Sequence, residues 1–202
     1  MTTTWNPSDK SSNITLSGGN LIATHSTTSV GGVRSTSSYS TGKWYWEITL
    51  GPVSDLVIGL ANSTYSLSTS DNVGADLNSV GWYPYFNDVI VNDAILATIQ
   101  AGTQNDVIGF AWDADNKLLW IRTNAGNWNN SGTANPATST GGLSLSSLHA
   151  GPFFIVLGSD KSGDAGTLNV GATSFANAAP SGFTAWDSGG VTANPRSFVM
   201  IL

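Results

Sequence analysis

Few residues in this chain have a type and spacing that could do chemistry. Glu47 is the only glutamate. Glycosidic cleavage needs two carboxylates roughly 5 to 10 Å apart across a sugar bond, and Glu47 sits mid-run in KWYWEITL with no acid paired to it. Asp113, Asp115 and Asn116 offer alternating oxygen ligands, as the start of a calcium loop does. The glycine and distal glutamate of that motif are missing, and a hairpin turn accounts for all three residues. His25 and His149 are far apart, in no metal-ligand spacing and beside no nucleophile motif, and read as surface or loop histidines. The tracts STTSVGG and STSSYSTG could cradle an anion on backbone N–H groups, but they lack a strand-glycine-helix pattern and read as a flexible hairpin between sheets. Asn13, Asn62 and Asn129 fit the glycosylation sequon, without a secretory leader in MTTTWNPSDK to make use of it. With no cysteine there is neither thiolate chemistry nor a disulfide framework. The expectation is a chain with no catalytic residue, no metal and no cofactor.

Aromatic side chains are the more promising group. Trp44, Trp46, Phe110, Trp112, Trp120, Phe153 and Phe154 fall inside strand-like runs and are expected to fill a core. Trp82, Tyr83, Tyr85 and Phe86 surround Pro84, while Tyr65 and Trp128 stand in polar stretches. Aromatics in loops bring large contact area at low entropy cost. These six, with the polar Asn124 at a strand end, are the candidate binding residues.

The elements that must hold them are strands. Gly, Ser, Thr and Asn occupy 90 of the 202 positions, yet 40% of the chain is hydrophobic and eight residues are Trp, which excludes disorder. One Glu and four Lys leave little to clothe exposed helices. Short apolar stretches between turn residues point to an all-β sandwich or barrel. Ile14–Leu16 and 21–24 form a hairpin about SGGN, whose glycines supply positive φ. In KWYWEITL, Trp44, Trp46, Ile48 and Leu50 share one face and Lys43, Tyr45, Glu47 and Thr49 the other, the period of a half-buried strand. The apolar run 56–61 suggests a central strand covered on both faces. A polar loop over 62–78 leads to SVGWYPYFNDVIVND, two short strands near a sheet edge. Residues 107–112 and 117–123 make a second hairpin, 126–142 a long surface loop, and 153–157, 167–170 and 198–202 the remaining strands.

Charge and length narrow the function classes. A chain of 202 residues suits one domain. Net charge is −6 without a Lys/Arg cluster, which excludes phosphate-backbone binding, and no apolar run approaches the roughly 20 residues of a membrane helix. Charged residues are only 10% of the chain, so binding is expected to depend little on salt.

The order of elements resembles the SPRY domains, in their bacteriophage and bacterial form, from about Trp5 to Trp186. The resemblance is carried by TWNPSDKSSNITLSGGNLIAT, GKWYWEITL, VGWYPYFND, DVIGFAWDADNKLLWIRTNAGNW and GTLNVGATSFANAAPSGFTAW. Val170 stands where the family usually has Phe, and Ala125 separates Asn124 from Gly126. The resemblance implies a concanavalin A-like jelly roll, a two-sheet antiparallel β-sandwich over 1–186, with 187–202 as a closing or partner-pairing strand. It also implies a non-enzymatic module that binds through loops at one end, and Glu47 as a structural acid. Together with the Ser/Thr/Asn/Gly-rich composition, it suggests a virion component of tail, fibre or capsid surface, multicopy or homo-oligomeric, contacting other virion proteins or a host surface protein or glycan. A lectin-like carbohydrate-binding domain is the alternative.

Overall fold

The computed structural model describes residues 2–68 and 72–190. In chain order the strands are β1 (Trp5–Lys10), β2 (Ile14–Ser17), β3 (Ile22–His25), β4 (Gly31–Tyr39), β5 (Lys43–Leu50), β6 (Val57–Asn62), β7 (Ser79–Tyr83) and β8 (Asp88–Val91). There follow β9 (Ala94–Thr98), β10 (Val107–Asp113), β11 (Leu118–Thr123), β12 (Leu143–Ser144), β13 (Phe153–Ser159), β14 (Ala165–Asn169) and β15 (Thr184–Ala185). One sheet runs β1-β4-β13-β6-β7-β8-β9, the other β12-β11-β10-β5-β14-β3-β2. Every pairing is antiparallel except β15 on β5. The all-β, two-sheet sandwich expected from the sequence is therefore the fold observed.

Period-two patterning explains the interior. Trp46, Ile48 and Leu50 of β5 face Ile58, Leu60, Val80 and Trp82 of the opposite sheet in one continuous core. Trp46 stacks on Phe110 with ring centroids 5.0 Å apart. Trp186 follows β15 directly and packs against Tyr39, Trp44, Trp46 and Trp112. Its Nε1–H donates to Ser37 Oγ (2.9 Å), and Tyr39 OH donates to its carbonyl (2.8 Å).

The outer faces of both sheets are covered too. Val57, Ala61, Tyr65, Leu67, Val73, Tyr83 and Val156 form a second apolar cluster on the seven-stranded sheet, which makes β6 the doubly covered central strand expected. The loop carrying Val73 and Gly74 lies directly on the sheet. A Cβ at Gly81 would collide with the Val73 carbonyl, and one at Gly59, its cross-strand partner, with that of Val80. On the other sheet Tyr45, Ala111, Trp120 and Phe183 form a third cluster. The half-buried reading of KWYWEITL is thus corrected, because Tyr45 and Glu47 are buried beneath residues 172–183. Trp120 is buried as expected, but in this outer cluster and not between the sheets.

Two further expectations are overturned. STTSVGG and STSSYSTG are no flexible hairpin, since most of this stretch is the nine-residue β4, paired on both sides. Its buried Ser35 sits where the β4–β13 register shifts, accepting the Ile155 N–H (3.0 Å) and donating to the Ser37 carbonyl (2.8 Å). A hydroxyl there repairs the ladder that the irregularity opens. Beside it, buried Arg34 forks onto Asp9 through Nε and Nη2 (2.7 and 2.9 Å) and gives the two N–H groups of Nη1 to the Asn62 and Tyr65 carbonyls (3.1 and 2.7 Å). His25 is fully buried, not a surface residue, and its Nδ1 lies 3.0 Å from the Thr27 carbonyl. The strand expected over 198–202 lies outside the described residues.

Candidate binding surface

The seven candidate residues do not come together. Trp82 is wholly buried in the core, edge-on to Phe110, and cannot meet a partner. Tyr83 and Tyr65 are buried in the cluster on the outer face, where burial pushes the Tyr83 phenol well above its usual range. The Tyr83 hydroxyl donates to the Val73 carbonyl (3.3 Å). Asn124, at positive φ, closes the end of the β10–β11 ribbon by accepting from Val107 N–H (2.9 Å) and donating to Asp106 (2.7 Å). Trp128 opens a short 3-10 turn, and the Arg122 guanidinium covers its ring at 4.3 Å.

Tyr85 and Phe86 are different. They form the turn between β7 and β8 and are 65% and 53% exposed. The turn's backbone is held from several sides: Asn87 N–H donates to the Tyr83 carbonyl, Ile99 N–H to that of Asn87 and Gly102 N–H to that of Pro84. A fixed backbone with projecting rings arises because Pro84 is buried while Asn87 takes the positive φ that ends the turn. The two rings meet edge to face at 5.1 Å.

Sequence reasoning missed the neighbour of this turn. Asn92 and Asp93 both adopt positive φ, the two-residue hairpin geometry that matches strand twist, and send the chain back as β9. Asn-Asp between VIV and AILAT was the available signal. β9 pairs with β8 alone among the described strands, and its register shifts between Val89 and Ile90. Ile95 and Leu96 are 62% and 40% exposed. With Tyr85 and Phe86 they are the exposed large hydrophobic residues of the described chain, all within residues 85–96. Summed over the four side chains, their exposed area is roughly 400 Å².

The residues able to do chemistry are committed to structure. Buried Glu47 accepts from Ala176 N–H, Asn177 N–H and Tyr45 OH (2.8, 2.8 and 2.9 Å), which straps 172–183 onto β5. Burial raises the Tyr45 phenol above its usual range, against the opposing effect of Arg122. Asp113 caps its hairpin turn through Asn116 (3.0 and 2.8 Å) and pairs with Lys43 (3.0 Å). Those bonds from Asn116 and the Lys43 ammonium hold its carboxyl below the usual range, overcoming the opposing effect of burial. The Asn13 amide donates to the Ser29 and Val30 carbonyls, and that of Asn129 to the Leu119 and Gly141 carbonyls. Among the described residues no three His, Asp or Glu side chains gather as a metal site.

Two hollows lie elsewhere among the described residues. One, between the sheets at Leu60, Trp112, Leu148 and Phe153, holds about 50 Å³, far below the 300–1,000 Å³ of ordinary ligand pockets. The other is an open polar hollow of about 550 Å³ lined by Ser11, Asn13, Thr28, Ser29 and Asp160, with no aromatic in its lining.

No protein-family model and no curated protein matches the sequence. Solved structures do match the fold. The SPRY domain of human HERC1 superposes with a TM-score of 0.66 at 12% identity, over 84% of this chain and 99% of that one. The TRIM65 PSpry domain gives 0.61 at 15% identity, over 83% of this chain and 89% of that one. The chain has a SPRY-like fold.

Proposed function

We propose that this chain is a non-enzymatic protein-binding module whose contact surface is centred on Tyr85, Phe86, Ile95 and Leu96. The observation that carries this reading is that the exposed large apolar side chains of the described residues all fall in the β7–β8 turn and on the edge strand β9, since exposed apolar groups concentrated in one part of a chain mark interaction sites more often than scattered ones do. The SPRY-like fold agrees with it, as does the structural use of Glu47 and Asp113. The finer reading is a bacteriophage virion component of tail, fibre or capsid surface, present in several copies and contacting a neighbouring virion protein or a host surface molecule. The cysteine-free, Ser/Thr/Asn/Gly-rich composition supports it. Multiple copies would raise avidity by about 10² to 10⁴ without new contacts.

The test displays the chain multivalently on beads and measures capture of host cells before and after protease treatment of the cells, with cryo-electron microscopy of particles to locate the chain. Binding should fall when Tyr85→Ala and Phe86→Ala are combined and should disappear after protease. Capture that survives protease and is lost after removal of surface glycans would instead establish the lectin alternative. Absence of the chain from particles would refute the virion reading.

A further inference from the structure

The edge strand β9 joins two features seldom left together. Its outer backbone groups are unpaired among the described strands, and it carries the exposed Ile95 and Leu96 with no Lys, Arg or Pro. Proteins guard such an edge with charge, proline, a β-bulge or a covering element. Here the one such device among the described residues is a single-residue bulge at Leu96, since Val89 pairs with Ala97 and Ile90 with Ile95, and the strand to either side of it keeps its outer groups open.

Charge selects what would fit. Residues 44–116 contain no Lys or Arg but nine acidic residues. Asp93 immediately precedes β9, and Asp88 sits at the ribbon's other end, accepting from the Thr98 hydroxyl (2.7 Å). The edge is therefore apolar in the middle and acidic at both ends. A second copy pairing antiparallel through its own β9 would set an Asp93 beside an Asp88 at each end with no cation between them, an unfavourable match. We infer that β9 takes up an extended segment of a partner protein by strand addition, the segment having aliphatic residues at its centre and Lys or Arg at each end. Main-chain hydrogen bonds would supply affinity and the flanking cations specificity. On this account binding weakens as salt rises, unlike the salt-indifferent contact that composition alone suggests.

The inference rests on the proposed protein-binding role and names its mode. The full chain is titrated with a fluorescent peptide, RTVTVTR, which in an extended conformation places both Arg and both Val on one face. Binding should protect the amides of residues 94–98 from hydrogen exchange. It should weaken by about tenfold or more for ETVTVTE or in the Ile95→Lys variant, whose fold is checked by circular dichroism. N-methylation of alternate peptide amides along the pairing edge should abolish it. Equal affinity for the two peptides, unprotected β9 amides, or dimerisation through β9 would overturn strand addition. If those fail while the Tyr85→Ala, Phe86→Ala pair still loses the partner, the binding role stands and the strand mode falls.

Discussion

Replacing Glu47 tests how the outer face of β5 is held. The carboxylate is buried and accepts three hydrogen bonds of 2.9 Å or less, plus a longer one from the Asn177 amide (3.3 Å). In Glu47→Ala two backbone N–H groups lose their acceptor, and the Tyr45 phenol keeps only its longer bond to the Asn177 carbonyl (3.3 Å). A donor left unpaired costs about 1–3 kcal/mol where water cannot reach it, and these two N–H groups sit in part-buried bonds against a buried carboxylate. The alternative is for 172–183 to lift away. That would uncover Tyr45 and Trp120, and at roughly 25 cal/mol per Å² a single exposed aromatic costs about 4–6 kcal/mol. Either route predicts a loss of about 4 kcal/mol, against the 5–15 kcal/mol that usually holds a domain. Glu47→Gln keeps one acceptor oxygen but turns an NH₂ toward a donor, for a loss of about 2 kcal/mol. Urea unfolding followed by tryptophan fluorescence measures both, and limited proteolysis should cut Glu47→Ala first within 172–183. A loss below about 1 kcal/mol for Glu47→Ala, or equal losses for the two variants, would refute the strap.

Other substitutions probe separate features. Arg34→Lys keeps the charge but loses the fork onto Asp9 and the bonds to the Asn62 and Tyr65 carbonyls, and should lower unfolding free energy by about 2–3 kcal/mol in the same urea assay. The Asp55 carboxyl is pushed up to about 6 by burial first, then by its hydrogen bond to Asp160 and the charges of Asp160 and Asp164, against the pull of Lys161. Between its ordinary value and about 6 the folded chain keeps a proton that the unfolded chain releases. Its stabilising contribution is therefore present at low pH and lost as pH rises through that window. Asp55→Asn should be more stable than the parent at pH 8, with the gap closing as pH falls toward about 4. Thermal melts across that range check the sign, and a gap independent of pH would count against it.

What could be read from the sequence depended on whether burial follows a local period. β5, the β2–β3 hairpin and the β10–β11 hairpin alternate or run apolar, and each is where the sequence places it. β4 was hidden because GGVRSTSSY buries a serine and an arginine, whose partners lie 120 residues along the chain at Ile155 and 25 at Asp9. Trp82 shares the inward face of β7 with Val80, and that alternation could have assigned it to the core. Nothing local marks Tyr65 as buried, because the sheet beneath it is built from β6, β7 and β13. At the candidate surface, Tyr85 and Phe86 were legible from the proline turn, whereas Ile95 and Leu96 look like core residues until the edge of the sheet is known.

Trp186 also bears on how the chain can be made. It closes a core begun by Tyr39, Trp44 and Trp46, and its neighbour Asp187 accepts from the Thr3 N–H across 184 residues of sequence. A chain growing from the ribosome would therefore hold those early aromatics without their final partner until nearly the whole domain had been translated. Contacts so distant in sequence close slowly, and the waiting strands would be open to association with other nascent chains. Emergence of the segment that carries Trp186, more than the formation of any single hairpin, becomes the event that commits this domain to its native packing.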